Sequence, residues 1–244
     1  MSARYLLEIA CNSVTSALAA QQGGANRIEL FENLEQGGTT PSSGSIAVAR
    51  DKLQIPLFVL IRPRPGDFHY SPLETETMLR DIAHCRQLGC DGVVIGGLTA
   101  DGDIDMPLCR ELVAAAGTMG ITFHRAFDAA RDLPTALEQV IELGCERLLS
   151  SGGKASAYEG RAILAGLVAQ ARGRIALMAG AGLKADNIQQ VARDSGCHEL
   201  HASAKQVVRS RMLPGTPELT GLQSDWQQTD PVLVGELRAK LLAI

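Results

Sequence analysis

The stretch ELGCERLLSSGG, residues 142–153, carries the plan of the fold in twelve residues. A helical run ends at Leu143, Gly144 stops it, Cys145 fills one step, and an apolar strand runs on to a pair of glycines. Gly suits the left-handed residue that closes a helix, where any side chain is strained. The same order recurs as QQGGANRIELF at 21–31, QLGCDGVVIGG at 87–97 and DSGCHELHASA at 194–204. Gly24, Gly89, Gly144 and Gly196 are therefore read as helix stops placed just before strands.

Outward from these units, eight strands are expected at 5–12, 26–31, 56–64, 92–98, 121–128, 147–153, 175–182 and 198–204, with helical runs between them. The clearest helix begins at Ser71-Pro72-Leu73-Glu74, where Ser71 caps, Pro72 suits the first helical position and Glu74 completes a capping box. The last begins at Thr229-Asp230-Pro231. Ser42 or Ser43 caps the helix after the loop 37–42. Strands alternating with helices imply a parallel sheet. A (β/α)8 TIM barrel of about 250 residues accounts for the whole length, and an open doubly wound sheet is the runner-up. No Pro/Gly/Ser linker divides residues 1–244, so a single domain is expected, with a long irregular segment at 205–228 before the C-terminal helix.

Composition narrows the function classes. The 244 residues are 45% hydrophobic and 20% charged, with a net charge of −4. A nucleic-acid partner would call for basic patches and stacking aromatics, and only 4% of residues are aromatic. No apolar run approaches the ~18 residues of a membrane span, and no export signal is evident. The six cysteines are then expected as reduced thiols in a cytoplasmic protein. No G-x-G-x-x-G follows a strand and no Walker sequence occurs, so no nucleotide cofactor is expected.

Side-chain alternation along strands points charge into the barrel. Ile28 and Leu30 face the helices, so Arg27, Glu29 and Phe31 face inward. The same reasoning turns Glu8, Arg62, Arg64, His124, Asp128, His201 and Ser203 inward. Barrel interiors are normally filled with branched apolar side chains, and burying an unpaired charge costs several kcal/mol. Five polar groups converging from five strands, Glu8, Glu29, Arg62, His124 and His201, form the candidate catalytic set. The competing reading is a structural Glu–Arg network. Glycines at the ends of the sixth and seventh strands, with Ser151, Gly152 and Gly153 on one and Gly180 and Gly182 on the other, let backbone N–H groups approach an anion. They also serve as plain tight turns. Among the cysteines, Cys90, Cys145 and Cys197 occupy the repeated filler position, Cys85 and Cys109 lie on helices, and Cys11 alone ends a strand.

The segments LEIACNS (7–13), RIELFENLEQGGTTPS (27–42), IRPRPGDFHY (61–70), GVVIGGL (92–98), TFHRAFD (122–128), LLSSGG (148–153) and ELHASA (199–204) resemble the copper homeostasis protein CutC family. The resemblance implies a cytoplasmic TIM barrel, assembled as a homodimer or larger oligomer, with copper binding as its label. In some relatives it implies Cu(I) between thiolates at the Cys11 position and at the end of the second strand, where this chain has Phe31. One reading is therefore a copper-handling protein that binds Cu(I) through Cys11 with help from Met178 or a histidine. Beside it stands an enzyme of lyase or hydrolase type acting on a small polar or anionic metabolite such as a sugar derivative. In that reading Glu8 or Glu29 is the base, His124 the acid and Arg62 the neutraliser of substrate charge, with Arg64, Asp128 and Ser203 among the ligand contacts.

Overall fold

In the computed structural model, which describes residues 5–212 and 224–244, eight parallel strands close in sequence order into a barrel. They are β1 (Leu6–Cys11), β2 (Arg27–Leu30), β3 (Leu57–Leu60), β4 (Gly92–Ile95), β5 (Gly120–Phe123), β6 (Arg147–Ser150), β7 (Ala176–Gly180) and β8 (Glu199–Ala202). Closure is made by β8 pairing with β1, Glu8 opposite His201. The helices are α1 (Val14–Gln22), α2 (Ser43–Lys52), α3 (Pro72–Gln87), α4 (Met106–Ala116), α5 (Leu133–Glu142), α6 (Ala157–Ala171), α7 (Ile188–Ser195) and α8 (Pro231–Leu242). The open doubly wound sheet is thereby excluded. No helix among the described residues is long and apolar enough to cross a membrane.

The helix signals act as read. Ser71 and Glu74 form the capping box of α3, Ser42 caps α2, and Asp230 caps α8 with Pro231 in its first turn. Gly24, Gly89, Gly144 and Gly196 all take φ between 70° and 92°. Cys90, Cys145 and Cys197 are buried behind these stops, and Cys85 and Cys109 are buried on their helices.

Two expectations are corrected. The strands are shorter than the apolar runs, most of them ending two to five residues early at the C-terminal side. At β5 the cause is local: the His124 ring accepts from the Ala126 N–H and starts a short 3-10 turn over Arg125–Ala129. Alternation therefore fails beyond residue 123, and Ala126 and Phe127 are both buried. The segment 205–228 is also not wholly irregular. Its ends pair antiparallel as β9 (Lys205–Val208) and β10 (Trp226–Thr229), while 213–223 lie outside the described residues. Asn12 Nδ2 donates to the Gln227 carbonyl at 2.8 Å and the Thr229 N–H to Ser16 Oγ at 3.1 Å, so this ribbon is stitched to the start of α1. Its polar residues carry no apolar period, which hid it.

The large apolar core lies between barrel and helices, and a smaller one, Ala10, Phe31, Phe58, Leu60 and Val94, lies inside the barrel. At the N-terminal end of the barrel the Phe58 ring packs against the guanidinium groups of Arg27 and Arg147, at 5.3 and 4.8 Å from its centroid. Gly92 and Gly120 make the space: a Cβ on either would meet the Phe58 ring at 2.1 or 2.8 Å. Cations over an aromatic ring are favourable, and together these groups plug the floor beneath the site.

Candidate functional site

Above the plug, β1, β2 and β8 carry one charge network. Arg27 is 3% exposed. It pairs with Glu8 through Nε and with Glu199 through Nη2 at 2.5 Å, and its Nη2 also reaches Met178 Sδ at 3.5 Å. Glu8 turns its other oxygen to His201 Nδ1 at 2.8 Å. His201 Nε2 faces Glu29 Oε2 at 3.4 Å. The order Arg27–Glu8–His201–Glu29 follows from strand register, because Glu8 lies opposite Arg27 on one side and His201 on the other.

The electrostatics divide the two carboxyls. Burial would raise Glu8, but the Arg27 charge and the His201 hydrogen bond outweigh it and hold the carboxyl near 2. Glu29 has no arginine partner among the described ion pairs and faces only His201, at 3.4 Å. Burial pushes it up to about 7, helped by the neighbouring Glu8 and opposed by His201 and Arg27. His201 is itself raised: burial works against its charge, and the Glu8 hydrogen bond with the two carboxylates overcomes that. So the carboxylates favour the imidazolium form of His201, with Nδ1 hydrogen-bonded to Glu8, and Glu29 is left able to gain or lose a proton near neutral pH. Two carboxyls with opposed shifts in one site are the pattern of divided acid–base roles.

Glu29 and His201 form part of the wall of a cavity of about 1250 Å³ at the C-terminal mouth of the barrel. Arg62, His124, Asp128, Ser203 and Gly182 line it too, as do Phe31 and Phe68. Glu8 does not: it is 1% exposed and sits behind His201, a positioning group for that ring rather than a reactant. His124 takes a different role from the acid expected of it. Its Nδ1 accepts from the Ala126 N–H at 3.1 Å, and burial, with the Arg62 charge, lowers it to about 3. It is a neutral ring whose Nε2 carries the hydrogen, and that buried atom has no partner among the described residues. Arg62 is 5% exposed. Its guanidinium donates to the carbonyls of Gln36, Gly38 and Gly66 at 2.7 to 3.0 Å. It clamps two mouth loops together and brings a positive charge balanced by no carboxylate among these partners.

Arg64 leaves the set. It lies past the end of β3, one-third exposed, and pairs with Glu74 at 2.5 Å and Asp67 at 2.9 Å. The glycine turn after β6 also serves itself. Asp128 accepts from Ser150 Oγ, Ser151 Oγ and the N–H groups of Ser151 and Gly153, all at 2.6 to 3.0 Å, and the Gly152 N–H donates to Ser150 Oγ. The N–H groups of Ser151, Gly152 and Gly153 are therefore taken within the turn. Gly180 is a packing position, where a Cβ would strike Leu149 at 2.5 Å. Arg27 and Glu199 were left out of the candidate set, although Arg27 shares its face with Glu29 two residues on. The lysines 154, 184 and 205 in the cavity wall had no signal, since they stand on loops without a period.

Cu(I) does not fit at Cys11. The residue is 0% exposed in the core between barrel and helices, its thiol donates to the Ile9 carbonyl, and burial pushes it far above the usual thiol range. Phe31, at the other thiolate position, belongs to the apolar cluster inside the barrel, so the two positions open on opposite faces of the wall. Met178 accepts a hydrogen bond from Arg27 instead. Glu8, Glu29 and His201 do bring three ligand atoms within 4.8 Å of one another, but oxygen and imidazole suit divalent ions rather than Cu(I), and Arg27 already fills the cation's place beside Glu8.

Comparison with known proteins places these residues in a family. The CutC family profile matches residues 5–206. A CutC family protein of Xylella fastidiosa strain Temecula1 is 53% identical over 231 residues, covering 95% of this chain and 86% of its own. One from Chromobacterium violaceum is 56% identical over 207 residues, 85% and 84% of the two chains. The crystal structure described as copper homeostasis protein CutC from Streptococcus agalactiae superposes with a TM-score of 0.79 at 33% identity, covering 82% of this chain and 98% of that one. This chain belongs to the CutC family.

Proposed function

We propose that the protein is an acid–base enzyme of lyase or hydrolase type acting on a small anionic metabolite held in the barrel mouth. One observation carries the reading: Glu29, in the cavity wall, has a carboxyl raised to about 7 beside a histidine that Glu8 holds in place. A general acid–base group works best when its pKa lies near the operating pH. Glu29 takes a proton from the substrate or returns one. His201, fixed by Glu8, keeps the position and charge beside it constant. His124 offers a neutral Nε2–H to a substrate oxygen, and Arg62 supplies a positive field. A two-carboxylate glycosidase is not supported, because Glu8 does not reach the cavity and such chemistry needs both carboxyls flanking one bond.

The test is a screen of small sugars, sugar phosphates and hydroxy acids incubated with the protein in D2O and followed by NMR. At least one class is expected to be cleaved, or to take up solvent deuterium, at a rate above buffer. A panel left unchanged overturns the reading.

The name of the S. agalactiae relative supports a place in copper homeostasis, and in our reading that place does not rest on Cys11. Cu(I) titration under anaerobic conditions with a competing chelator is expected to give the same affinity for wild type and Cys11→Ser. A tenfold or greater loss in the variant would restore a thiolate site.

A further inference from the structure

Four buried side-chain atoms have no hydrogen-bond partner among the described residues: Arg62 Nε, Tyr70 Oη, His84 Nε2 and His124 Nε2. Such groups cost free energy unless a ligand or an ordered water meets them. Of the four residues, Arg62 and His124 alone line the mouth cavity, and the fold sets them near each other. The ladder runs one step past β4 and β5, with the His124 N–H donating to the Ile95 carbonyl at 2.8 Å. Gly96 comes next on the β4 side, two residues after Val94 of the cluster inside the barrel. A Cβ at Gly96 would meet His124 Nδ1 at 2.6 Å and Nε2 at 3.1 Å. The imidazole therefore lies across Gly96, inside the barrel, on the way from β5 toward β3, whose end carries Arg62. The Phe68 ring packs against both groups, 5.2 Å from the imidazole centre and 5.1 Å from the guanidinium carbon.

Together the two groups present one charge and one neutral donor. Arg62 has its terminal nitrogens on loop carbonyls and no carboxylate among those partners. Tyr70 stands beside it on the side of the outer core, so what Arg62 brings to the cavity is charge. His124 accepts at Nδ1 from the Ala126 N–H, which leaves its own N–H at Nε2, and burial with the Arg62 charge keeps the ring neutral. A buried cation without a counter-charge is costly, and one cation is matched by one negative charge. We propose that Arg62 and His124 form a carboxylate subsite, with the His124 Nε2–H donating to a carboxylate oxygen beside the guanidinium, and that the metabolite is a small carboxylic acid. A phosphate dianion would bring a second charge, and the other cation at this wall, Arg125, is already paired with Asp128. Phe68, half-buried on the loop after β3, is the ring that gives way to admit the ligand. That the acid's reacting carbon lies toward Glu29 rests on the acid–base reading above; the carboxylate subsite does not.

The experiment titrates the 15N-labelled protein with acetate, with lactate and with inorganic phosphate at constant ionic strength, following the ring 15N–1H signal of His124. Both carboxylates are expected to move the Nε2–H signal to saturation, and phosphate to bind at least tenfold more weakly. His124→Phe keeps a ring over Gly96 and removes the donor. It is expected to weaken acetate binding about tenfold, which corresponds to one hydrogen bond to a charged group. Should that variant fail to fold, the wild-type ring signal decides by itself. A ring signal that no carboxylate moves means that water alone meets these atoms and overturns the subsite. Phosphate binding as tightly as acetate, or full acetate affinity in folded His124→Phe, overturns it as well. A saturating shift at His124 with the whole D2O panel unchanged would defeat the acid–base reading and leave the subsite standing. Turnover of an uncharged sugar with no carboxylate binding would do the reverse.

Discussion

Arg27→Met is expected to destabilise the protein by about 3–5 kcal/mol at pH 7, the range for breaking a buried ion pair from one side. For a chain of this size that is roughly 6–20 °C in Tm. Methionine keeps most of the volume and removes the charge. Glu8, 1% exposed, loses the cation that holds its carboxyl near 2, and Glu199 loses its 2.5 Å partner. The pH dependence follows in sign. In the wild type the folded carboxyl of Glu8 lies below its ordinary 4.5. Its contribution is complete above about 4.5 and is lost as the pH falls toward 2. In the variant the stranded carboxyls are relieved by protonation, so the gap between the two proteins narrows in acid. Urea unfolding at pH 7 and pH 4 measures both quantities. A penalty under about 1 kcal/mol, or an equal one at both pH values, would show that the network is not what Arg27 contributes.

Glu29→Gln separates chemistry from stability. Turnover of any substrate found in the screen is expected to fall by 10²- to 10⁴-fold, the usual contribution of a positioned acid–base group. Stability moves the other way. Folding raises the Glu29 carboxyl from 4.5 to about 7, so the protonated form is the one the fold prefers. That preference is fully present below about 4.5 and is lost as the pH rises through 7. Glutamine imitates the protonated acid. The variant is therefore expected to melt above the wild type at pH 8.5, with the difference fading below pH 5. Melting curves across that range decide it: a variant no more stable at pH 8.5 would contradict a carboxyl kept neutral by burial. Full turnover in the variant would remove Glu29 as the proton carrier.

Much of the site was legible because a strand's alternation is a geometric rule. Within β1, β2 and β8, where ladders persist, Glu8, Arg27, Glu29 and His201 turn inward as the period of two requires. The rule failed where the ladders stop. Arg64 lies beyond β3 and leaves for Glu74, and Asp128 lies beyond β5, where a turn begun by His124 redirects it to the loop after β6. Roles were less legible than positions. Glu8 and Glu29 look alike in sequence; the Arg27 charge and the His201 hydrogen bond make one a fixed anion, and burial makes the other a proton carrier.

What the amino-acid order determined by itself is local: helix stops at four glycines, caps at Ser71 and Asp230, and apolar runs that make strands. Those suffice for eight βα units, because each signal acts on neighbours a few residues apart; that the sheet closes into a barrel was decided by β8 pairing with β1. The tertiary structure alone decided which charges meet, since Glu8 and His201 are 193 residues apart in the chain and join only when β8 closes onto β1. A hydrogen bond's partner is fixed by what the folded chain brings within about 3 Å, and no local pattern specifies that.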